Sequence, residues 1–309
     1  MTTRCSRRDW LMGSTALAAC GLARADDPPP GAPGFLYGLN TSTLMGQKLD
    51  IIEIVEIAAK AGYQAIEPWI RELDDYAKKG HDLKSLGQRM RDHGLRVESA
   101  IGFFEWTVDD ETRRKKAFEE AKRNMDLVQQ IGGKRLAAPP AGATKESVNL
   151  LKVAERYRAL LELGDQMGVV PEVEFWGPSQ TLGRLGEAAL VAVESGHPKA
   201  CILADVYHLY KGGSQLTGLQ LLSGSAMHVI HMNDYPADPP RSTITDAHRV
   251  YPGDGVAPLK SILRDLQTIG FRGVLSLELF NREYWKQDPL TVAKTGIEKM
   301  RKVVQESLG

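Results

Sequence analysis

The chain has 309 residues, of which 42% are hydrophobic and 25% are charged, a composition typical of globular proteins. Lysine plus arginine and aspartate plus glutamate are equal at 39 each, so the formal net charge is zero. This balance argues against a nucleic-acid partner and against a polybasic patch for a membrane surface.

Residues 1–25 show the pattern of an export signal. A basic start that includes Arg7 and Arg8 precedes a short apolar run, and small residues end the segment at Ala25. The arginine pair resembles the twin-arginine export type. The apolar run covers residues 10–23 and is too short for a transmembrane helix, which takes roughly 20 residues. We therefore expect no membrane span.

Two ways of processing this signal stay open. Cleavage after Ala25 would release the chain, whereas "LAAC" at residues 17–20 resembles a lipoprotein cleavage box that would leave a lipid anchor on Cys20. Both predict a bacterial protein that is exported to the periplasm or anchored by lipid at the cell envelope. Residues 26–34, rich in proline and glycine, are expected to link the signal to a catalytic domain at residues 35–309. Cys201 is the single cysteine of that domain, so no internal disulfide is expected.

Short apolar runs and longer amphipathic runs alternate along residues 35–309. The predicted strands cover residues 35–40, 64–69, 95–102, 135–142, 169–177, 200–208, 227–234 and 273–280. The predicted helices cover residues 49–61, 83–93, 111–131, 145–167, 181–195, 215–222, 257–269 and 291–308, and several of them are followed directly by glycine.

Eight strand–helix units in a row favour a parallel sheet with helical crossovers. A single-domain (β/α)8 TIM barrel, which typically takes about 250 residues, fits this count. The alternative is a doubly wound open sheet. That fold would require a glycine-rich phosphate turn after the first strand, and "GLNTSTLMG" does not contain the G-x-G-x-x-G pattern.

Four consecutive predicted strands, the fifth to the eighth, carry a metal-binding type of side chain near their ends. These residues are Glu174, Asp205, His231 and Glu278. Taken singly, each glutamate is ordinary for a loop and the histidine is ordinary for a core. In a barrel, however, the carboxyl ends of the strands build the active site together. Carboxylates and an imidazole suit Mn²⁺, Zn²⁺, Mg²⁺ or Co²⁺, and the sequence does not choose among these ions.

Five sequence blocks resemble the sugar isomerase/epimerase family with xylose-isomerase-like barrels. The blocks are "VEFWG", "ADVYHLYKGG", "HMNDYP", "HRVYPGDG" and "LSLELFNREYW", and the resemblance spans roughly residues 35–309. It implies one divalent ion, Mn²⁺ first, held by Glu174, Asp205, His231 and Glu278. It also implies that Glu174 and Glu278 act as the catalytic base and acid. The implied activity is a metal-dependent isomerase or epimerase of a keto-sugar or keto-polyol that works through an enediolate.

Further residues are expected to bind the hydroxyl groups of the substrate. His208 follows Asp205 in the Asp-x-x-His pattern of the family, and a tight turn at "YPGDG" would hold Arg249 inward. Other candidates, placed near predicted strand ends or on the loop after the sixth strand, are Lys211, Asn40, Glu67 and Trp69. Five aromatic residues are expected to form an apolar wall for a sugar ring: Trp69, Phe103, Phe104, Trp106 and Trp176.

The same residues allow alternative functions to be compared with this one. A lyase or dehydratase acting on a keto-sugar or 3-keto-glycoside would use the same metal site and eliminate a hydroxyl group from the enediolate. An abasic-site endonuclease on this barrel would need further histidines on the second and third strands, and none lies there. A sugar-binding protein without activity would not need all four ligands. The exposed faces of the last two helices could support a homodimer.

Overall fold

The computed structural model describes residues 34–309, which form a single domain. The predicted export signal and most of the predicted linker fall on residues 1–33 and lie outside the described residues. None of the helices in the described part is both long enough and apolar enough to cross a membrane.

Within residues 34–309, seven parallel strands form the sheet. They are β1 (Leu36–Asn40), β2 (Ala65–Glu67), β3 (Arg135–Ala138), β4 (Val170–Glu174), β5 (Ile202–Asp205), β6 (Val229–Met232) and β7 (Val274–Leu277). Their order in the sheet is β2-β1-β7-β6-β5-β4-β3. Every neighbouring pair is parallel, as right-handed crossovers through helices require.

The third predicted strand, residues 95–102, is not a regular strand, and that prediction was wrong. The segment makes only isolated bridges within the described residues. Arg96 pairs with Ala65 of β2, and Ile101 pairs with Trp69 and with Ala137 of β3. It therefore fills the position between β2 and β3 as an eighth, irregular element of the barrel. Pro68 ends β2 after three residues, and because proline has no N–H, a longer ladder cannot form there.

Nine α-helices pack outside the sheet. They are α1 (Ile51–Ala61), α2 (Ile70–Lys78), α3 (Leu83–Asp92), α4 (Glu111–Gln130), α5 (Leu150–Met167), α6 (Leu185–Glu194), α7 (Val206–Gly212), α8 (Leu259–Thr268) and α9 (Pro289–Leu308) within the described residues. The helix predicted at residues 215–222 is a 3-10 helix, Leu216–Leu221.

Local sequence explains where these helices begin and end. In α1, Asp50 and Glu53 form a capping box, each side chain accepting the backbone N–H of the other. Gly62 ends the helix at φ 90°, a conformation that favours glycine. The apolar side of α1 is buried, so the helix is held by packing as well as by its caps.

The helices α2 and α7 were not predicted. Only Ile70 and Leu73 are buried in α2, too few for a clear helical period. In α7 the residues "VYHL" favour a strand by propensity. The side chain of Asp205 nevertheless accepts the backbone N–H of His208 at 2.8 Å, which caps a helix at this point. The predicted strand over residues 200–208 therefore ends at Asp205.

Small and apolar side chains fill the barrel interior before the strands reach their carboxyl ends. This cluster contains Ala65, Ile101, Ala137, Leu203, Val229 and Val274. Because side chains alternate along a strand, Leu203 and Val229 share the inward face with Asp205 and His231, two residues further on. The apolar cluster thus forms a solid base below the polar strand ends.

Candidate active site

The four predicted metal-binding residues meet at the carboxyl end of the barrel. Glu174 and Asp205 are the last residues of β4 and β5, His231 lies in β6, and Glu278 directly follows β7. Asp205 and His231 are register partners across adjacent strands. All four side chains are buried.

His231 is the centre of this group. Its Nδ1 atom lies 3.2 Å from Oε2 of Glu278, 3.6 Å from Oδ2 of Asp205 and 3.9 Å from Oε1 of Glu174. None of these oxygens is in hydrogen-bonding geometry with Nδ1, which has no partner among the described residues. Candidate ligand atoms of Asp205, His231 and Glu278 all lie within 4.8 Å of one another.

This arrangement fits a divalent metal ion. A buried imidazole nitrogen without a partner, facing three carboxylates, offers one nitrogen and several oxygen ligands to one point. Glu174 also has a buried oxygen, Oε2, for which the described part of the chain provides no hydrogen-bond partner. Because unpaired buried polar atoms are unfavourable, these orphaned atoms indicate a missing partner at the site.

Arg249 is the main positive charge beside the cluster. Its Nη1 atom donates to Oδ2 of Asp205 at 2.7 Å and to Oε2 of Glu278 at 2.8 Å. The guanidinium is 1% exposed and lies over the rings of Tyr207 and Phe280 at 4.6 and 5.2 Å. These contacts fix the side chain on one side of the carboxylates.

The loop after β6 brings Arg249 to this position. The carboxylate of Asp234 accepts the backbone N–H groups of Gly253, Gly255 and Ala257 at 3.0, 3.1 and 2.8 Å. A Cβ atom on Gly255 would lie 2.3 Å from Oδ1 of Asp234, so no larger residue fits without movement. The predicted turn at "YPGDG" is therefore present and holds Arg249 inward.

Asn40 and Glu67 lie behind His231 and do not line the cavity. Oε2 of Glu67 accepts from Asn40 Nδ2 at 2.9 Å and from Ser276 Oγ at 2.7 Å, and lies 3.0 Å from Nε2 of His231. Trp69, in contrast, does line the cavity, and its Nε1 donates to Oδ1 of Asn40 at 2.9 Å.

A cavity of about 560 Å³ opens above the cluster. Glu174, Glu278, His208 and Arg249 provide polar lining. Aromatic side chains form much of the rest: Trp69, Phe103, Trp176, Phe280 and Trp285. The size lies within the roughly 300–1,000 Å³ common for small-molecule sites.

Two of the five aromatic residues predicted for the wall do not belong to it. Phe104 and Trp106 are completely buried in the core, and Nε1 of Trp106 donates to the carbonyl of Pro139 at 2.8 Å. Trp69 and Trp176 each pack against Phe103, with ring centroids 5.0 and 5.7 Å apart. Aromatic residues after a strand end can turn to either side, and the sequence does not indicate which side.

His208 and Lys211, both on α7, have different surroundings. Nδ1 of His208 accepts the backbone N–H of Gly177 at 3.2 Å, and its Nε2 lies 3.3 Å from Nη2 of Arg249. The ammonium of Lys211 donates to the carbonyls of Arg241 and Ser242 at 2.9 and 3.1 Å, and Lys211 does not line the cavity. Its role in substrate binding stays a prediction.

The acidic groups of the site have diverging proton affinities. Burial raises the pKa of Glu174 to about 8 and also raises that of Glu278. For Asp205, burial is outweighed by Arg249 and His208, which hold the pKa of that carboxyl well below its usual range. Burial lowers the pKa of His208 to about 4, so its ring is neutral near pH 7. The site therefore contains both a firmly ionised carboxylate and carboxyls that can carry a proton.

Phe280 and Asp246 are among the lining residues that were not predicted from the sequence. Phe280 lies two residues after Glu278, and strand alternation could have placed both on one face. Asp246 accepts from Nε of Arg249 at 3.1 Å, but its position in a long loop gave no signal. Both residues contact Arg249, so they belong to the surroundings that fix its side chain.

The chain is similar in sequence and in fold to several known proteins. The inosose isomerase of Bacillus velezensis is 29% identical over 259 residues, covering 82% of this chain and 91% of that relative. The 3-dehydroshikimate dehydratase of Pseudomonas putida is 23% identical over 246 residues, covering 74% of this chain and 36% of that relative. The structure of the IOLI protein with a binding zinc atom has a TM-score of 0.83 at 24% identity, covering 89% of this chain and all of that chain.

The family itself is shown by a match to a family model. The model of the xylose isomerase-like TIM barrel family matches residues 55–303, well over half of the chain. The barrel of parallel strands and the grouped strand-end residues agree with this match. The chain belongs to the xylose isomerase-like TIM barrel family.

Proposed function

We propose that this protein is a divalent-metal-dependent isomerase or epimerase of a keto-sugar or keto-polyol, of the inosose type. The observation that carries the proposal is the unpartnered Nδ1 of His231, which faces three carboxylates at the base of an aromatic-lined cavity. The relatedness to inosose isomerases supports the substrate class.

Glu174, Asp205, Glu278 and Nδ1 of His231 would hold the ion, with Mn²⁺ expected first and Zn²⁺, Mg²⁺ or Co²⁺ as alternatives. When bound, such an ion supplies a Lewis acid that polarises a carbonyl and favours the enediolate formed when the neighbouring proton leaves. The IOLI protein, whose structure has the same fold, was solved with a binding zinc atom, which supports a metal requirement.

The two glutamates are proposed to move the proton. Glu174 and Glu278 come from β4 and β7, the outer two of the four strands that carry the cluster, and both line the cavity. A ring bound between them would present one face to each carboxyl group. Without the ion, burial raises the pKa of both groups, so each carboxyl group holds a proton more readily than an exposed glutamate.

Other residues are proposed to bind and orient the substrate. The rings of Trp69, Phe103 and Trp176 offer apolar faces to the C–H side of a sugar or polyol ring. The neutral ring of His208 and the guanidinium of Arg249 offer hydrogen bonds to its hydroxyl groups. The shape of the cavity would also exclude part of the water around the reacting carbon.

A dehydratase is the second candidate, because one group of relatives carries that name. The same enediolate would then lose a hydroxyl group from the neighbouring carbon, and Glu174 or Glu278 would donate the proton to the leaving oxygen. A 3-keto-glycoside, whose glycosidic oxygen lies in the same relation to the carbonyl, is a substrate for this alternative.

Product analysis by ¹³C NMR separates the two candidates. The Mn²⁺-loaded protein would be incubated with 2-keto-myo-inositol and with a panel of keto-sugars that includes 3-keto-glucosides. A carbonyl that moves to the neighbouring carbon, or an inverted centre beside it, is the expected result. An unsaturated product would favour the dehydratase. Unchanged substrates throughout, with the metal shown to be bound, would contradict both.

Export to the cell envelope is proposed as well, from the sequence of residues 1–25. N-terminal sequencing of the protein from fractionated cells tests it. A chain that starts after Ala25 in the periplasm, or at a lipid-modified Cys20 in the membrane fraction, is expected. An intact Met1 in the cytoplasmic fraction would contradict export.

A further inference from the structure

We propose that Glu67 is a positioning residue for the metal site: it binds Nε2 of His231 and thereby directs Nδ1 toward Glu174, Asp205 and Glu278. The inference rests on the proposed metal centre, and it adds a role for a residue that is neither a ligand nor a substrate contact. It does not depend on which sugar is converted.

The geometry of the histidine ring carries the argument. Oε2 of Glu67 lies 3.0 Å from Nε2 of His231, and both side chains are buried. Histidine binds a metal as the neutral imidazole, which has one proton on its two nitrogens. With that proton on Nε2 and donated to Glu67, the lone pair of Nδ1 faces the carboxylate cluster.

Glu67 is itself held in place by two more donors. Asn40 Nδ2 donates to the same oxygen at 2.9 Å, and Ser276 Oγ donates at 2.7 Å. The amide of Asn40 can take only one orientation, because its Oδ1 accepts from Trp69 Nε1 at 2.9 Å and from the backbone N–H of Ser42 at 3.0 Å. Glu67 therefore has little freedom to leave His231.

The sheet leaves a path between Glu67 and His231. Glu67 ends β2, whereas His231 lies in β6, and β1 and β7 stand between them. His231 is level with Ser276 on β7 and Gly38 on β1, two small residues, whereas Glu67 lies further along and pairs with Asn40. The carboxylate of Glu67 can thus reach across the barrel interior to the imidazole.

Glu67 differs from the glutamates proposed to act on the substrate. Glu174 and Glu278 line the cavity, but Glu67 does not, and it is only 3% exposed. Its carboxylate faces the nitrogen of His231 that points away from the cluster. A carboxylate that binds the second nitrogen of a metal-binding histidine fixes the ring and raises its basicity toward the ion.

Two substitutions and one matched control test the role. Glu67→Leu removes the acceptor, whereas Glu67→Gln keeps an acceptor oxygen at nearly the same size without the charge. Glu172→Gln is the control, because Glu172 is an equally buried barrel glutamate whose carboxylate has no hydrogen-bond partner among the described residues. Zn²⁺ and Mn²⁺ affinities would be measured by competition with a chromophoric chelator, beside the Tm of the metal-free proteins.

The expected result is a loss of metal affinity that stability does not explain. Glu67→Leu should weaken binding by about 10–100-fold, the usual effect of removing such a partner. Glu67→Gln should lose less metal affinity than Glu67→Leu, and the metal affinity of Glu172→Gln should stay close to that of the wild type. In the Zn²⁺-loaded wild type, long-range ¹H–¹⁵N NMR should find the proton of His231 on Nε2 and the metal-shifted nitrogen to be Nδ1.

Three results would overturn the role of Glu67. They are unchanged metal affinity in both Glu67 variants, an equal loss in Glu172→Gln, or a proton on Nδ1 of His231 in the Zn²⁺-loaded wild type. If Glu67→Leu fails to fold, Glu67→Gln and the NMR measurement still decide. A wild type that binds no metal would overturn the proposed function together with this role, whereas a metal-binding wild type with unaffected variants would overturn this role alone.

Discussion

Burial and neighbouring charges give chemically similar carboxyl groups different proton affinities in this site. Asp205 and Glu278 both accept from Arg249, yet the pKa of Asp205 is lowered and that of Glu278 is raised by burial. Asp205 also caps α7 with its other oxygen, so its position is fixed by the fold. Glu278 lies closer to the cavity, where a proton-carrying group is useful.

Glu278→Gln tests the proton-transfer role. At saturating Mn²⁺ we expect kcat to fall by roughly 10²–10⁴-fold, the usual contribution of a general acid or base, while KM changes little. The measurement is steady-state kinetics with the metal content of each sample determined. Equal losses in kcat and in substrate affinity would speak against the role.

At the scale of residues, the sequence predicted the four clustered side chains but not the contact between Glu67 and His231 that holds one of them. Glu174, Asp205, His231 and Glu278 follow from strand ends and spacing, because neighbouring parallel strands bring their ends together. Glu67 was predicted to contact substrate, since a strand-end glutamate faces the barrel mouth. Its contact with His231 depends on which residues of the two intervening strands lie between them, and one sequence does not give that register.

At the scale of elements, β4 carries two inward-facing glutamates at different depths. Glu174 reaches the cavity, whereas Glu172 lies two residues earlier and is completely buried, with both oxygens unpartnered in the described part of the chain. Burial raises the pKa of Glu172 from 4.5 to about 8. The group is therefore mostly protonated near neutral pH.

The pH dependence of folding stability should reveal the raised pKa of Glu172. Its folded-state pKa is raised, so the wild type loses stability as the pH rises from about 4.5 to about 8. Glu172→Gln resembles the protonated acid and lacks this loss. Relative to the wild type, the free energy of unfolding of the variant should increase by up to about 1.4 kcal/mol per pH unit in that range.

Urea unfolding at pH 5 and pH 8 of both metal-loaded proteins measures this difference. Because both proteins keep Glu174 and Glu278, the comparison isolates Glu172. Parallel pH dependences of the two proteins would show that Glu172 is ionised or solvated in the folded state.

The elements that the sequence predicted well are those with strong local signals. The helix α1 has a capping box and a glycine that ends it. In the long helices α4, α5 and α9, apolar residues recur at helical spacing over several turns. The short α7 lacks such a pattern. Its start depends on a cap from Asp205, a residue that the sequence marks equally well as a metal ligand.

At the scale of the whole molecule, the site joins strands that are distant in the chain. Glu174 and Glu278 lie on β4 and just after β7, and a bound ion would link them with β5 and β6. Arg249 adds a loop that Asp234 ties to the end of β6. Metal binding should therefore stabilise the whole barrel rather than one loop.

Thermal unfolding tests this linkage. Mn²⁺ at 100 times its dissociation constant should stabilise the fold by about 2.7 kcal/mol and raise the Tm by several degrees. A chelator should reverse the shift. His231→Ala should unfold at one temperature with or without Mn²⁺, and a persisting Mn²⁺ effect in that variant would place the ion elsewhere.

The barrel itself was predictable because alternating strands and helices admit few topologies. The family match and the parallel sheet confirm that prediction. The substrate was not predictable to the same degree. In the proposed function its selection would depend on Phe103, Trp176 and Phe280, which line the cavity, and these side chains carry no periodic signal.

Deuterium exchange is the measurement that tests the central claim most directly, namely that this metal site labilises a proton beside a carbonyl. The Mn²⁺-loaded protein would be incubated in D₂O with 2-keto-myo-inositol and keto-sugars, and the substrates examined by NMR after removal of the ion. We predict deuterium at the carbon next to the carbonyl, none after chelation, and recovery when Mn²⁺ is restored. Exchange that survives chelation, or no exchange in a protein shown to hold its metal, would contradict the account.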